Sequence, residues 1–173
     1  MLASRALWLG THALSLRYAG DANCAGSTSP AIAVTVLPRV ALVMSLVGIG
    51  PFAVGGKPLR CTLKLRNQGP HPVTGGHVSS ALPSNVSSAQ WHCSAVAANC
   101  AASGVGDIDQ LVAIQPFGSV AFVVSGQVAA VPELPLAIAA SVAAPEAIED
   151  ERGDNGINRS VAVGIFRDGF APD

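Results

Sequence analysis

The stretch Leu59-Arg60-Cys61-Thr62-Leu63-Lys64-Leu65-Arg66 alternates without a fault: every odd position is apolar and every even one polar or charged. A period of two marks a β-strand with one face in a core and the other in water, because successive side chains leave the pleated backbone on opposite sides. The same period recurs outward from it. Val40, Leu42, Met44 and Leu46 share a face, and Val78, Ser80 and Leu82 make a shorter row. Further rows are Ile108, Gln110, Val112 and Ile114; Val120, Phe122 and Val124; Leu136, Ile138, Ala140 and Val142; and Val161, Val163 and Ile165. Turn signals separate them: Gly55-Gly56-Lys57-Pro58, Asn67-Gln68-Gly69-Pro70, Leu82-Pro83-Ser84-Asn85, Pro116-Phe117-Gly118, Pro132-Glu133-Leu134-Pro135 and Gly153-Asp154-Asn155-Gly156. No long window free of Gly and Pro repeats apolar residues at helical spacing, and a helical reading of Glu146 to Arg152 amounts to a turn or two. The pattern predicts an all-β fold, an antiparallel sandwich of about seven strands.

Composition agrees. Of 173 residues, 50% are hydrophobic and 12% charged, and the formal net charge is −1. Such a chain has enough apolar surface to fold without a metal, and global disorder is excluded. There is no net basic charge to neutralise a phosphate backbone, so nucleic acid is not an expected partner. No apolar run approaches the length of a membrane-spanning helix.

Residues 1–37 read as a separate unit. Leu14, Leu16 and Tyr18 alternate with Ala13, Ser15 and Arg17, the polar turn Gly20-Asp21-Ala22-Asn23 follows, and Ile32, Val34 and Val36 alternate again. This is one hairpin, with a further strand expected around Leu7 to Leu9. Two or three strands cannot form a core alone. Pro38 is the natural boundary, residues 38–166 form the main domain and 167–173 a tail.

Two resemblances follow from these residues. Gly10-Thr11-His12, Leu16 to Asn23 and Ser27-Thr28-Ser29 resemble the last strands of a bacterial Ig-like repeat, in which a G-x-H-x-L-x-x-x-Y-x-G-D hairpin precedes an S-T-S strand start. Residues 40–166 resemble the bacterial surface repeat known as the DUF11 domain. The landmarks are Leu63 to Pro70 for its strand ending in N-x-G-P, Ala81-Leu82-Pro83 for its x-L-P turn, and Trp91-His92-Cys93 with Asn99-Cys100 for its W-x-C…C segment. Ser119-Val120-Ala121-Phe122 matches a strand start, and Asp154 to Asn158 is similar to a D-x-x-x-N-N turn whose paired Asn is here split. Phe166 to Phe170 looks like a short F-x-D-G-F tail of exported proteins. The resemblance implies an Ig-like sandwich in an exported, multidomain bacterial surface protein, with neighbouring Ig-like domains as its partners. It implies no catalysis and no cofactor. No signal-peptide core is visible near Met1, so the chain is expected to be part of a longer parent.

Within that frame Cys93 and Cys100, with six residues between them, are expected to form a disulfide. The alternatives are two free thiols, or a metal site built from His92, Cys93, Cys100 and another ligand, although the close C-x2-C pairs of common zinc sites are missing. Cys61, on the apolar face of its strand, reads as a buried thiol, and the alternative is a bridge to Cys24. Trp91 reads as a core plug, with a sugar-stacking platform as the alternative. His12, His71, His77 and His92 read as surface or turn residues, with no Gly-x-Ser-x-Gly elbow and nothing to set a histidine beside a nucleophile. The acidic run from Glu146 offers Glu149, Asp150, Asp154 and Asn155 as calcium candidates against a plain solvated loop, because hard cations need several oxygens. The expected function is a structural or adhesive spacer at the cell surface. The competing expectation is a module that binds glycan, calcium or a protein through its end loops.

Overall fold

The computed structural model describes residues 7–130, 135–150 and 153–164. The chain divides into two compact units, Met1–Pro38 and Arg39–Asp173. Described residues form strands and turns only.

The first unit is a two-stranded ribbon in two ladders. β1 (Gly10–Leu14) pairs with β4 (Ile32–Val36), and β2 (Arg17–Tyr18) pairs with β3 (Ser27–Thr28), both antiparallel. The ladders are joined where the Leu16 amide donates to Ser29 Oγ and the Ser29 amide donates to Leu16 O, each at 2.9 Å. The strand expected around Leu7 to Leu9 is absent; regular pairing begins at Gly10. Leu14, Leu16 and Ile32 stay exposed, since a two-stranded ribbon has no second layer to cover them.

The second unit holds β5 (Arg39–Val40), β6 (Leu42–Val47), β7 (Phe52–Val54), β8 (Pro58–Asn67), β9 (Val73–Ala81), β10 (Val86–Asn99), β11 (Ser103–Val105), β12 (Ile108–Val128), β13 (Leu136–Ala143), β14 (Glu149–Asp150) and β15 (Gly156–Gly164). One curled sheet makes both layers of a sandwich-like fold, and β12 is the fold line. Its first half, Ile108–Ile114, pairs with β9, and its second half, Ser119–Gln127, pairs with β8. One layer therefore runs β6, β8, β12, β10, β11, and the other runs β12, β9, β13, β15, β7.

The alternation predicts the core well. Leu59, Cys61, Leu63 and Leu65 of β8 are buried, as are Leu136, Ile138, Ala140 and Val142 of β13 and Val120, Phe122 and Val124 of β12. Val40, Leu42, Val73, Val78, Ile108 and Ile114 close the space between the layers.

Three expectations are corrected. Pro116-Phe117-Gly118 does not reverse the chain; it is a bend inside one 21-residue strand. The sandwich is not wholly antiparallel, because β15–β7 and β14–β5 are parallel pairs. Parallel neighbours need a long crossover, and here the whole second unit supplies it. Pro145 to Ile148 form a hydrogen-bonded turn, not a helix, with the Ile148 amide donating to Pro145 O at 2.9 Å. Ile165, the Phe166–Phe170 motif, Glu151 and Arg152, and the turn residues 132–134 lie outside the described residues.

Candidate functional site

The residues carrying the N-x-G-P landmark form a buried polar hub. Asn67 is the last residue of β8 and is fully buried. Its Nδ2 donates to His71 O at 2.7 Å and lies 3.5 Å from the carbonyl oxygens of Ile114 and Gln115 on β12. Its Oδ1 accepts from the Gly69 amide at 2.9 Å and from the Ala41 amide at 3.4 Å. One side chain thus ties the link between β5 and β6, β8, the following turn and the bend of β12. Gly69 has to be glycine for space: a Cβ there would stand 2.6 Å from Val40 Cα. The residue types fit the job, since a buried amide is tolerated only when its donors and acceptors find partners. The sequence marked this stretch as a turn and missed Asn67 as its organiser.

The W-x-C…C landmark builds a corner. A straight strand would hold residues seven apart at about 23 Å. Cys93 and Cys100 are disulfide-bonded with Cα atoms 6.4 Å apart. The chain bends at Ala97, whose φ is 47°, and β12 bends beside it at Phe117, whose φ is 62°. Gly118 lets the two bends touch, because a Cβ there would sit 2.4 Å from Ala97 O. The disulfide staples β10 to the residue just beyond its end across that bend, and the expected pairing is observed. Trp91, two residues before Cys93 on β10, is 3% exposed and edge-on to Phe122 with ring centroids 5.6 Å apart. It is a core plug, and burial removes the sugar-stacking alternative. Gly104 leaves room for its ring. Cys24 and Cys61 are both free, so no bridge links them; Cys24 is exposed, and burial pushes the Cys61 thiol up from its ordinary value.

The calcium candidates serve the sheet edge instead. Glu149 and Asp150 form β14 against Arg39 and Val40. An Asp150 carboxylate oxygen accepts from the Leu42 amide at 3.3 Å. Asp154 contributes its main-chain oxygen to the Met44 amide, and Asn155 its main-chain oxygen to the Val142 amide. Among the described residues no three His, Cys, Asp or Glu side chains are gathered as a metal-binding group.

Strand register does set one histidine beside a carboxylate. His77 on β9 contacts Asp109 on β12, and on the same outer face Ser79 Oγ and Ser141 Oγ are 2.9 Å apart. Both partners of this contact are well exposed, 49% and 80%, so water weakens it. His71 Nδ1 lies 3.1 Å from both the amide nitrogen and the carbonyl oxygen of Arg39, a turn role as expected. In the first unit the Tyr18 hydroxyl donates to Asp21, whose other oxygen accepts the Asn23 and Cys24 amides at 2.8 and 2.9 Å. The Tyr18 hydroxyl bond, then the two amides, hold the Asp21 carboxyl below its ordinary value, and the same bond raises Tyr18.

The open concavities lie elsewhere. A groove of about 350 Å³ is lined by Lys64, Arg66, Ser45, Gln68 and Ser119. A second, of about 220 Å³, lies at the start of β8 among Gly48, Phe52, Lys57 and Arg60. An apolar hollow of about 530 Å³ borders Leu14, Leu16 and Ile32 in the first unit.

No family model and no curated protein matches this chain. Among solved structures, it is similar to AvmM, which catalyses macrocyclization in alchivemycin A biosynthesis, at 10% identity and a TM-score of 0.48, over 75% of this chain and 92% of that one. It is also similar to a family 123 glycoside hydrolase from Clostridium perfringens, at 12% identity and a TM-score of 0.42, over 71% of this chain and 27% of that one. At these values neither likeness speaks to activity.

Proposed function

We propose that the chain is a non-catalytic spacer module of an exported bacterial surface protein, built from a DUF11-like, Ig-like sandwich preceded by the closing strands of an Ig-like repeat. The observation that carries the reading is the Cys93–Cys100 bridge across a strand corner. Structural disulfides persist in oxidising compartments, outside the cytosol. The residues of the N-x-G-P and W-x-C…C landmarks support it further, for Asn67, Gly69 and Trp91 serve packing rather than chemistry. A stalk needs modules that resist unfolding and proteolysis, and a stapled corner suits that need. Its partners in this reading are neighbouring Ig-like domains of the parent.

The test is native-state thiol alkylation with mass spectrometry on protein expressed through an oxidising compartment. Cys24 is expected to label at once, Cys61 only after unfolding, and Cys93 and Cys100 only after reduction. Reduction is then expected to lower stability by about 2.5 kcal/mol, the chain-entropy value for so short a loop. Free labelling of Cys93 and Cys100 in the native protein would overturn the exported reading.

A further inference from the structure

Charge is segregated in the second unit although the chain as a whole is nearly neutral. The strands of one layer, β6, β8, β10, β11 and the Ser119–Val128 half of β12, contain no Asp or Glu. Arg60, Lys64 and Arg66 all point outward from β8, a central strand of that layer, and are exposed. Lys57 stands exposed in the turn before it. Among the described residues none of these four makes an ion pair. Two residues of strand rise about 6.7 Å, so Lys64 and Arg66 are near neighbours and Arg60 stands about 13 Å from Lys64. The two grooves occupy the ends of this row. Lys57 and Arg60 line one beside the exposed ring of Phe52, and Lys64 and Arg66 line the other beside the hydroxyls of Ser45 and Ser119 and the amide of Gln68.

We propose that the outer face of β8 is a binding track for an extended anionic polysaccharide, one bearing carboxylate or sulfate groups. The cations meet the acidic groups of successive sugars. The serine hydroxyls and Gln68 suit sugar hydroxyls, and Phe52 offers an apolar face to a sugar ring at one end. Charge complementarity selects this occupant. A neutral glycan would leave the cations idle, and a nucleic acid would find no series of aromatic platforms along the track for its bases. The inference does not depend on the spacer reading. It places binding on a sheet face, away from the acidic loop at Glu149 and Asp150.

The experiment uses the whole chain with heparin and polygalacturonate as anionic probes, dextran as the neutral control and a single-stranded DNA oligonucleotide as the competing polyanion. Expected are saturable binding to the anionic polysaccharides that weakens as salt is added, none to dextran, and much weaker binding to the single-stranded oligonucleotide. The Arg60→Gln, Lys64→Gln, Arg66→Gln triple variant should lose about tenfold or more in affinity, while Arg159→Gln on the other layer binds as before. Amide chemical-shift changes in the unaltered protein, confined to β6, β8, the Ser119–Val128 half of β12 and the groove-lining residues Phe52, Lys57 and Gln68, give the same answer without a variant. No binding to either anionic probe, an undiminished triple variant, shifts away from these strands and groove residues, or equal affinity for the single-stranded oligonucleotide would each overturn the proposal.

Discussion

Asn67 shows how much a single polar side chain can decide. It is buried with both ends of its amide engaged, and the groups it satisfies belong to segments far apart in the chain. Replacing it with Ala removes those bonds and strands main-chain groups in the interior. Each stranded group costs roughly 1–3 kcal/mol, so Asn67→Ala is expected to destabilise the second unit by about 2–4 kcal/mol in chemical denaturation. Gly69→Ala should act in the same direction, because the new methyl meets backbone, which cannot swing aside. The Tyr18–Asp21 contact in the first unit gives a second residue-scale prediction, this time in pH. The Asp21 carboxyl is held below its ordinary 3.8, so its contribution is present above that value and lost as the pH falls through the lower folded value. Tyr18 is raised above 10.0, so its contribution is present below that pH and lost as the pH rises through the higher folded value. Exchange of the Asn23 and Cys24 amides should therefore be slowest, relative to an unstructured peptide, between those limits. A flat protection ratio across them would count against the contact.

At the scale of elements, β8 and β13 were legible and β12 was not. In β8 and β13 the period of two is unbroken, and one face is apolar along all of β13 and along β8 up to Asn67. In β12 the Pro116-Phe117-Gly118 triplet carries the chemistry of a turn, and propensity alone reads it as one. A signal against that reading was present. Ile108, Val112 and Ile114 before the triplet and Val120, Phe122 and Val124 after it are all even-numbered and all face the core, so the strand continues in phase. The bend holds Phe117 in the left-handed region, which a branched side chain resists more strongly than an unbranched one. Phe117→Ile is expected to destabilise by about 1–2 kcal/mol, while Phe117→Gly should cost nothing or stabilise slightly. Thermal melts of the two variants at fixed pH separate these outcomes. The candidate site was less legible than the strands. The outward positions of β8 could be read from the sequence, but the missing carboxylates on its neighbours depend on sheet order, which the sequence does not carry. The His77–Asp109 contact was hidden for the same reason, since the two residues are 32 apart in sequence and meet only through register.

For the whole molecule, the contrast between the units sets the order in which they open. The second unit has two layers, a continuous core from Val40 to Val142 and a stapled corner. The first has a single ribbon whose apolar side chains Leu14, Leu16 and Ile32 remain in water. Ribbons of two strands are marginal by themselves, because the backbone entropy of ordering is not offset by burial. Local opening of the first unit should therefore cost much less than global unfolding of the second. Native-state hydrogen exchange should find the amides of β1 and β4 exchanging through openings insensitive to denaturant. Those of β8, the second half of β12 and β13 should exchange only through the global transition, with its full denaturant dependence. Equal protection in both units would mean that something besides its own strands holds the ribbon, and the argument from its missing second layer would fail.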